Sequence, residues 1–192
     1  MQIAYCLFEG LVRWNPTDFS IELACADRFV VSDDNETYTF HIREDATWSN
    51  GAVVTSHDFK FAWMRLLTPD TASDYSNFLF SIKGAKCFWD WRNRSLKQGQ
   101  FVSQKEIEKM FGEMVGIRTL DHHTIEVKLE FPVPYFLDQL ALAVCSPVYR
   151  PAVEGWILDE DEFSSLFEDG WYTKEVPPFS KRRWVSQSPE TG

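Results

Sequence analysis

The sequence lacks the short motifs that mark common active sites. It contains no Gly-x-Ser-x-Gly turn, no phosphate-binding loop and no His-Glu-x-x-His motif, each of which positions reactive or metal-binding groups by its spacing. Glu9 and Asp58 are candidates for an acid–base pair, but both fit structural roles better and nothing sets either carboxylate near a nucleophile. We therefore expect no catalytic residue and no enzymatic activity, with a carboxylate-based hydrolase as the weaker alternative.

Cysteine is scarce and is not spaced for a metal site. The four cysteines, Cys6, Cys25, Cys87 and Cys145, include no Cys-x-x-Cys pair and no Cys/His ligand set, so a zinc site is not expected. They are too few for a disulfide scaffold, although two disulfides can form if the chain is exported. We expect most of them to be buried free thiols.

Adjacent histidines at His122 and His123 raise the question of a metal site. Neighbouring side chains on a strand point to opposite faces, so two adjacent imidazoles rarely share one ion. We interpret both as turn residues, and we predict no metal ion and no cofactor.

Positive charge is also in short supply. The chain has 19 Lys and Arg against 29 Asp and Glu, for a net charge of −10, and its only compact basic cluster is at 181–183. A nucleic-acid partner requires a basic surface, so none is expected. No apolar run is long enough to span a membrane, and residues 1–9 do not read as a signal peptide, so we expect neither in this chain.

Aromatic side chains, in contrast, are abundant. The chain has 16 Phe and 8 Trp among 192 residues. Large rings dominate the energetics of cores. A ring-rich core is therefore the simpler interpretation, and a ring-lined ligand surface is the more specific alternative. Trp89 and Trp91, close to Arg92 and Arg94, are interpreted either as a partner or sugar patch or as a surface loop.

Alternation of apolar and polar residues predicts two β-hairpins. The first has strands at 28–32 and 37–43 around a polar loop, and the second has strands at 115–119 and 125–131. Each strand buries one face, so the hairpins form a mostly antiparallel sheet.

Helix signals lie between and around the hairpins. The clearest helix spans 56–67, where Thr55 and Asp58 form a capping box and Pro69 ends the helix. Shorter helices are predicted at 3–12, 104–111 and 135–144. The element order predicts an α+β fold in which helices cover the sheet. We place a small domain at 1–150 and a divergent acidic and proline-containing tail, or the truncated start of a next lobe, at 151–192.

The segment from Tyr38 to Leu67 reads YTFHIREDATWSNGAVVTSHDFKFAWMRLL. It resembles the signature of the oligopeptide/dipeptide-binding family of ABC-transporter solute-binding proteins: a strand ending in Arg, then Trp-Ser-Asn-Gly, then a Thr-x-x-Asp-Phe helix start. Leu7-Phe8-Glu9-Gly10-Leu11, Pro69-Asp70-Thr71-Ala72-Ser73 and Pro132-Val133-Pro134-Tyr135-Phe136 agree with the family in order and spacing.

This resemblance implies a partial, non-enzymatic binding protein. Complete members form a two-lobed clamp, like other periplasmic binding proteins, and 1–150 is similar to the additional small domain that leans on the first lobe. Tyr75 matches the family's aromatic that reaches toward the bound peptide, and Phe78 is its neighbouring candidate. The stretch 140–143 lacks the family's usual His, so the sequence departs from the family pattern at that contact.

The resemblance also implies partners and location. These are a peptide ligand in the complete protein, the membrane subunits of an ABC importer, and a periplasmic or extracellular site. A fragment of this kind is not expected to bind ligand by itself. The alternative is a stand-alone interaction domain, or a relic, that kept the fold. A piece of a larger protein is expected to expose apolar surface that the rest would cover.

Overall fold

Two antiparallel hairpins join into one four-stranded sheet within residues 7–153, the part of the chain that the computed structural model describes. The first hairpin consists of β3 (Ala26–Val31) and β4 (Thr37–Ile42), and the second of β5 (Ile117–Thr119) and β6 (Thr124–Lys128). β4 pairs with β6, which gives the strand order β3-β4-β6-β5. Both predicted hairpins and the α+β class are confirmed.

The pairing of β4 with β6 places apolar side chains opposite one another. Tyr38 lies opposite Val127 and Phe40 lies opposite Ile125, and all four side chains are buried. The intervening Thr39 is only half-buried on the other face. The period-two pattern of the two strands therefore builds one continuous apolar face, against which the helices pack.

Helix α1 (Ser56–Leu67) forms much of the opposite wall of the core. The backbone amide of Thr55 donates a 2.8 Å hydrogen bond to the Asp58 carboxylate, as the predicted capping box requires. Trp63 is fully buried, and its indole Nε1–H donates to the carbonyl of Cys145 at 2.8 Å. This bond ties α1 to a distant segment of the chain and satisfies a polar atom that burial would otherwise penalise.

The remaining helices are shorter and lie after α1. They are α2 (Ala85–Lys97), α3 (Gln104–Met114), α4 (Phe136–Leu140) and α5 (Arg150–Val153), with 3-10 turns at Pro69–Thr71, Ser76–Leu79 and Ala143–Cys145. The predicted helix at 104–111 is confirmed, and it extends three residues further than predicted. The prediction for 135–144 is too long, because Leu142 takes an extended conformation and divides α4 from the 3-10 turn that follows.

A two-stranded ribbon near the start of the chain is absent from the sequence-based prediction. It pairs β1 (Val12–Trp14) with β2 (Ile21–Leu23). The predicted helix at 3–12 is wrong in its described part, where only Leu7 is helical. The carbonyl of Leu11 accepts a 3.0 Å hydrogen bond from the backbone just after β2, so pairing with a later segment outweighs the local helix signal.

Several large apolar side chains remain on the surface of the described residues. They are Leu7, Phe8, Phe19, Leu23, Val30, Val53, Tyr75, Leu120, Phe131 and Tyr135. The β1–β2 ribbon carries Phe19 and Leu23 and packs against α4, whose N-terminal cap is Tyr135. Apolar exposure is therefore found on neighbouring elements at this end of the domain.

Candidate functional site

The loop that follows α1 carries both predicted ligand-binding residues. α1 ends at Leu67, and a 3-10 turn at Pro69–Thr71 redirects the chain. Ala72 then adopts a left-handed conformation, with φ 49° and ψ 40°, which a non-glycine residue enters only when its surroundings hold it there. The second 3-10 turn at Ser76–Leu79 begins immediately after Tyr75.

Tyr75 and Phe78 stack on each other. Their ring centroids are 5.8 Å apart and the ring planes are inclined by 21°. Tyr75 is 39% exposed, and Phe78 is half-buried. The amide of Phe78 donates to the carbonyl of Tyr75 at 3.1 Å, and the next residue, Leu79, is fully buried. The structure thus brings the two predicted residues together as one aromatic surface on an anchored turn.

A buried ion pair fixes the base of this loop. The guanidinium of Arg92, on α2, donates to both carboxylate oxygens of Asp70 at 2.8 and 2.5 Å. The exposed fraction is 1% for the Arg92 side chain and 13% for that of Asp70. Arg92 also donates to the carbonyl of Gln100 at 3.4 Å. A bidentate pair of this kind fixes the relative orientation of its two side chains as well as their separation. α2 therefore fixes the position of the turn at Pro69–Thr71, from which the Tyr75 loop begins.

No local signal in the sequence indicates this ion pair. Arg92 lies in a polar stretch that also contains other charged residues, and Asp70 lies in a Pro-Asp-Thr turn where an exposed carboxylate is ordinary. Only the packing of α2 against the turn after α1 brings the two charges together.

Trp89 and Trp91 do not form a shared patch. Both lie on α2 rather than in a loop, and residues two apart on a helix do not face each other. Trp91 packs on the buried Phe88 with centroids 5.8 Å apart. Trp89 meets Phe80 edge to face at 5.9 Å. The loop interpretation is therefore wrong, because one face of the polar helix packs on the core.

Lys86 covers the Trp89 and Phe80 rings. Its ammonium nitrogen lies 5.3 Å from the centroid of the Trp89 ring and 5.6 Å from that of Phe80, within the range of a cation–π contact. Lys86 also forms an ion pair with Asp90 one helical turn later. These contacts hold the Trp89 ring against Phe80, which directly follows the 3-10 turn after Tyr75.

The carboxylates considered for acid–base chemistry have structural partners. Glu9 accepts hydrogen bonds from Arg13 at 3.1 Å and from Arg43 at 3.5 Å. Asp58 accepts from the amide and hydroxyl of Thr55 at the start of α1. These contacts join elements of the fold.

The described cysteines are free thiols in two different environments. Cys25 and Cys145 are buried, and Cys87 is exposed. Burial raises the pKa of Cys25 to about 11 and that of Cys145 to about 12, since an apolar surrounding disfavours the thiolate. Cys6 lies outside the described residues.

Residues 7–153 also bear on membrane spans and metal sites. No helix in this range is long and apolar enough to cross a membrane. Nor does this part of the chain contain a group of three or more His, Cys, Asp or Glu side chains arranged to hold a metal ion.

Comparison with known proteins gives a consistent answer. The chain is 38% identical to the periplasmic oligopeptide-binding protein OppA of Salmonella typhimurium over 123 residues, which are 63% of this chain and 20% of that protein. It is 32% identical to the dipeptide-binding protein DppE of Bacillus subtilis over 164 residues, or 82% of this chain and 26% of that protein.

Solved structures agree with these relatives. The Haemophilus influenzae OppA complex with RPPGFSPFR matches with a TM-score of 0.66 and 32% identity, over 79% of this chain and 26% of that one. The chain thus spans only about a quarter of the length of such relatives. Residues 20–178 match the sequence profile described as bacterial extracellular solute-binding proteins, family 5 Middle. The chain belongs to the family 5 bacterial extracellular solute-binding proteins.

Proposed function

We propose that this chain provides the small domain of the peptide-binding component of an ABC importer, and that Tyr75 and Phe78 contact the bound peptide. The observation that carries the proposal is the stacked, partly exposed ring pair on a loop whose base is fixed by the Arg92–Asp70 ion pair. Rigid aromatic surfaces supply contact area at small entropic cost, and they are frequent energetic centres of binding sites.

The family relationship supports the choice of ligand. Two relatives that are 38% and 32% identical to this chain over the aligned residues are named oligopeptide- and dipeptide-binding proteins. Because the chain spans about a quarter of their length, a complete site needs the remaining lobes. In the complete protein, peptide binding would stabilise the closed arrangement of the lobes over the open one. The membrane subunits of the importer, on the outer side of the cytoplasmic membrane, would be the partners.

A chimera tests the role of the ring pair. The segment 7–153 would replace the matching segment of Haemophilus influenzae OppA, and binding of RPPGFSPFR would be measured by calorimetry. We expect the chimera to bind the peptide. Tyr75→Ala should weaken binding by about tenfold, because a truncated aromatic contact at a binding centre typically costs more than 1 kcal/mol.

Tyr135→Ala is the matched control, because Tyr135 is 59% exposed but belongs to the N-terminal end of α4. It should leave peptide affinity unchanged. A folded chimera that binds peptide equally well with and without the Tyr75 ring would exclude the proposed contact. A folded chimera that binds no peptide would count against the function itself.

A stand-alone interaction domain is the second candidate, and the exposed side chains of Phe19, Phe131 and Tyr135 favour it. Large apolar side chains left exposed on a domain are candidates for contact with another protein surface. Intact mass of the native protein separates the two functions. A mass well above 22.4 kDa indicates a complete binding protein, and a mass of 22.4 kDa indicates a domain that acts by itself.

A further inference from the structure

All four histidines of the chain meet at one corner of the domain. The chain has four in total, and they form two ring pairs. His57 and His122 have centroids 5.6 Å apart in an edge-to-face arrangement. His41 and His123 have centroids 6.2 Å apart, with ring planes inclined by 28°. Adjacent His122 and His123 thus point to different partners, and each contacts a histidine that is distant in sequence.

Backbone contacts hold the first pair in place. The amide of Ser56 donates to the carbonyl of His122 at 2.8 Å, and the Ser56 hydroxyl donates to the carbonyl of Asp121 at 2.5 Å. Ser56 is fully buried, and it precedes His57 at the capped start of α1. The β5–β6 turn and the first turn of α1 are therefore joined directly beneath the two imidazoles.

The separation of these rings matches that of two ligands on one metal ion. A metal–nitrogen bond is about 2.0–2.1 Å long and a ring nitrogen lies about 1.1 Å from its ring centre, so two imidazoles on one ion have centroids about 4.5–6.3 Å apart, depending on the angle between the two bonds. The observed 5.6 Å lies in this range. Both side chains are exposed, so each ring can turn about its Cβ–Cγ bond to direct a nitrogen at a shared ion.

Although the sequence predicts no metal ion, we propose that His57 and His122, which only the fold brings together, bind a late first-row divalent cation, with water completing its coordination. Neutral imidazole suits Ni²⁺, Cu²⁺ and Zn²⁺. With only two protein ligands, the site differs from the closed clusters of three or more ligands that are absent from residues 7–153. Asp58 and Asp121 neighbour the two ligands in sequence, and their negative charge favours a cation at this corner.

The second histidine pair is less suited to this role. The Nδ1 atom of His41 lies 3.0 Å from the Asp27 carboxylate and is already engaged by it. His123 is half-buried. Its separation of 6.2 Å from His41 fits only ligands on nearly opposite sides of one ion. His41 therefore serves as the matched control residue.

Calorimetric titration with NiCl₂ tests the site, with the full chain free of any affinity tag. A Cys87→Ser background removes the exposed thiol. We expect one-site binding, weakened at least about tenfold by either His57→Gln or His122→Gln and changed less than about twofold by His41→Gln. Ni²⁺ should also raise the thermal midpoint of the parent protein but not of the two ligand variants, because only the folded chain brings these residues together.

The result can overturn the proposal in two ways. Absence of Ni²⁺ binding at millimolar concentration would exclude the site. Equal losses in His41→Gln and His57→Gln would show that binding does not depend on this particular pair. Circular dichroism of each variant establishes that the fold is retained, and because both ligands are exposed, at least one of the two variants is expected to fold.

Discussion

Replacing Arg92 with alanine should destabilise the domain strongly. The substitution removes a guanidinium whose side chain is only 1% exposed and which donates two hydrogen bonds to Asp70. The Asp70 carboxylate, 13% exposed, then remains largely buried without a counter-charge. The aliphatic part of Arg92 is lost as well, so a void forms between α2 and the turn at Pro69–Thr71.

The size of the effect follows from the burial of the pair. Removing one partner of a buried ion pair typically costs about 3–5 kcal/mol, because the other charge stays desolvated. Residual exposure of Asp70 allows some hydration, so we expect the lower end, about 3 kcal/mol. With a urea dependence of about 2 kcal/mol per molar for a domain of this size, the unfolding midpoint should fall by about 1.5 M.

Urea unfolding followed by tryptophan fluorescence measures this change. Arg94→Ala is the matched control, since Arg94 is an exposed arginine on the same helix and should change stability by less than about 0.5 kcal/mol. The double variant Asp70→Ala/Arg92→Ala should cost less than the sum of the two single changes. A loss below about 1 kcal/mol in Arg92→Ala, or one equal to that of Arg94→Ala, would refute the reasoning.

Two further predictions concern the backbone and the thiols. Gly84→Ala should destabilise the domain by more than about 2 kcal/mol by urea unfolding, because Gly84 has φ +71° and an added Cβ would lie 1.9 Å from the carbonyl oxygen of the last residue of α3; an unchanged midpoint would contradict this. In a Cys6→Ser background, Ellman's reagent at pH 8 should react quickly with Cys87 and slowly with Cys25 and Cys145, whose pKa values are about 11 and about 12. Because these folded-state pKa values lie above the ordinary thiol value of 9.0, the contribution of each buried thiol to the unfolding free energy is complete below pH 9. It is lost as the pH rises through the folded-state pKa values of about 11 and about 12, so the unfolding free energy should decrease from pH 9 to pH 12. Rapid reaction of all three thiols would contradict the burial.

Local sequence patterns were sufficient to predict both hairpins of the four-stranded sheet and helix α1. The alternation in β4 and β6 repeats every two residues, and one buried face per strand leaves little freedom in register. The start of α1 is encoded by Thr55 and Asp58, which are three residues apart and satisfy each other. In each case the residues that determine the structure are near neighbours in sequence.

Predictions failed where distant segments decide the local conformation. The segment ending at Leu11 has a helical composition, but its carbonyl pairs with backbone beyond β2. The polar stretch that contains Trp89 reads as a loop, yet it forms α2, because Trp91 and the buried Arg92 find partners on other elements. Composition does not reveal partners that are far away in sequence, so propensity alone was misleading.

The sequence by itself determined the family, the α+β class, both hairpins and the capped helix, because each depends on short patterns of neighbouring residues. The choice of Tyr75 and Phe78 as ligand contacts follows from the family resemblance and stays a prediction. Tertiary structure decided the joining of the hairpins through β4 and β6, the bracing of the Tyr75 loop by Arg92 and Asp70, and the pairing of His57 with His122. These features arise from contacts between residues far apart in the chain, which form only when hydrophobic burial brings their elements together.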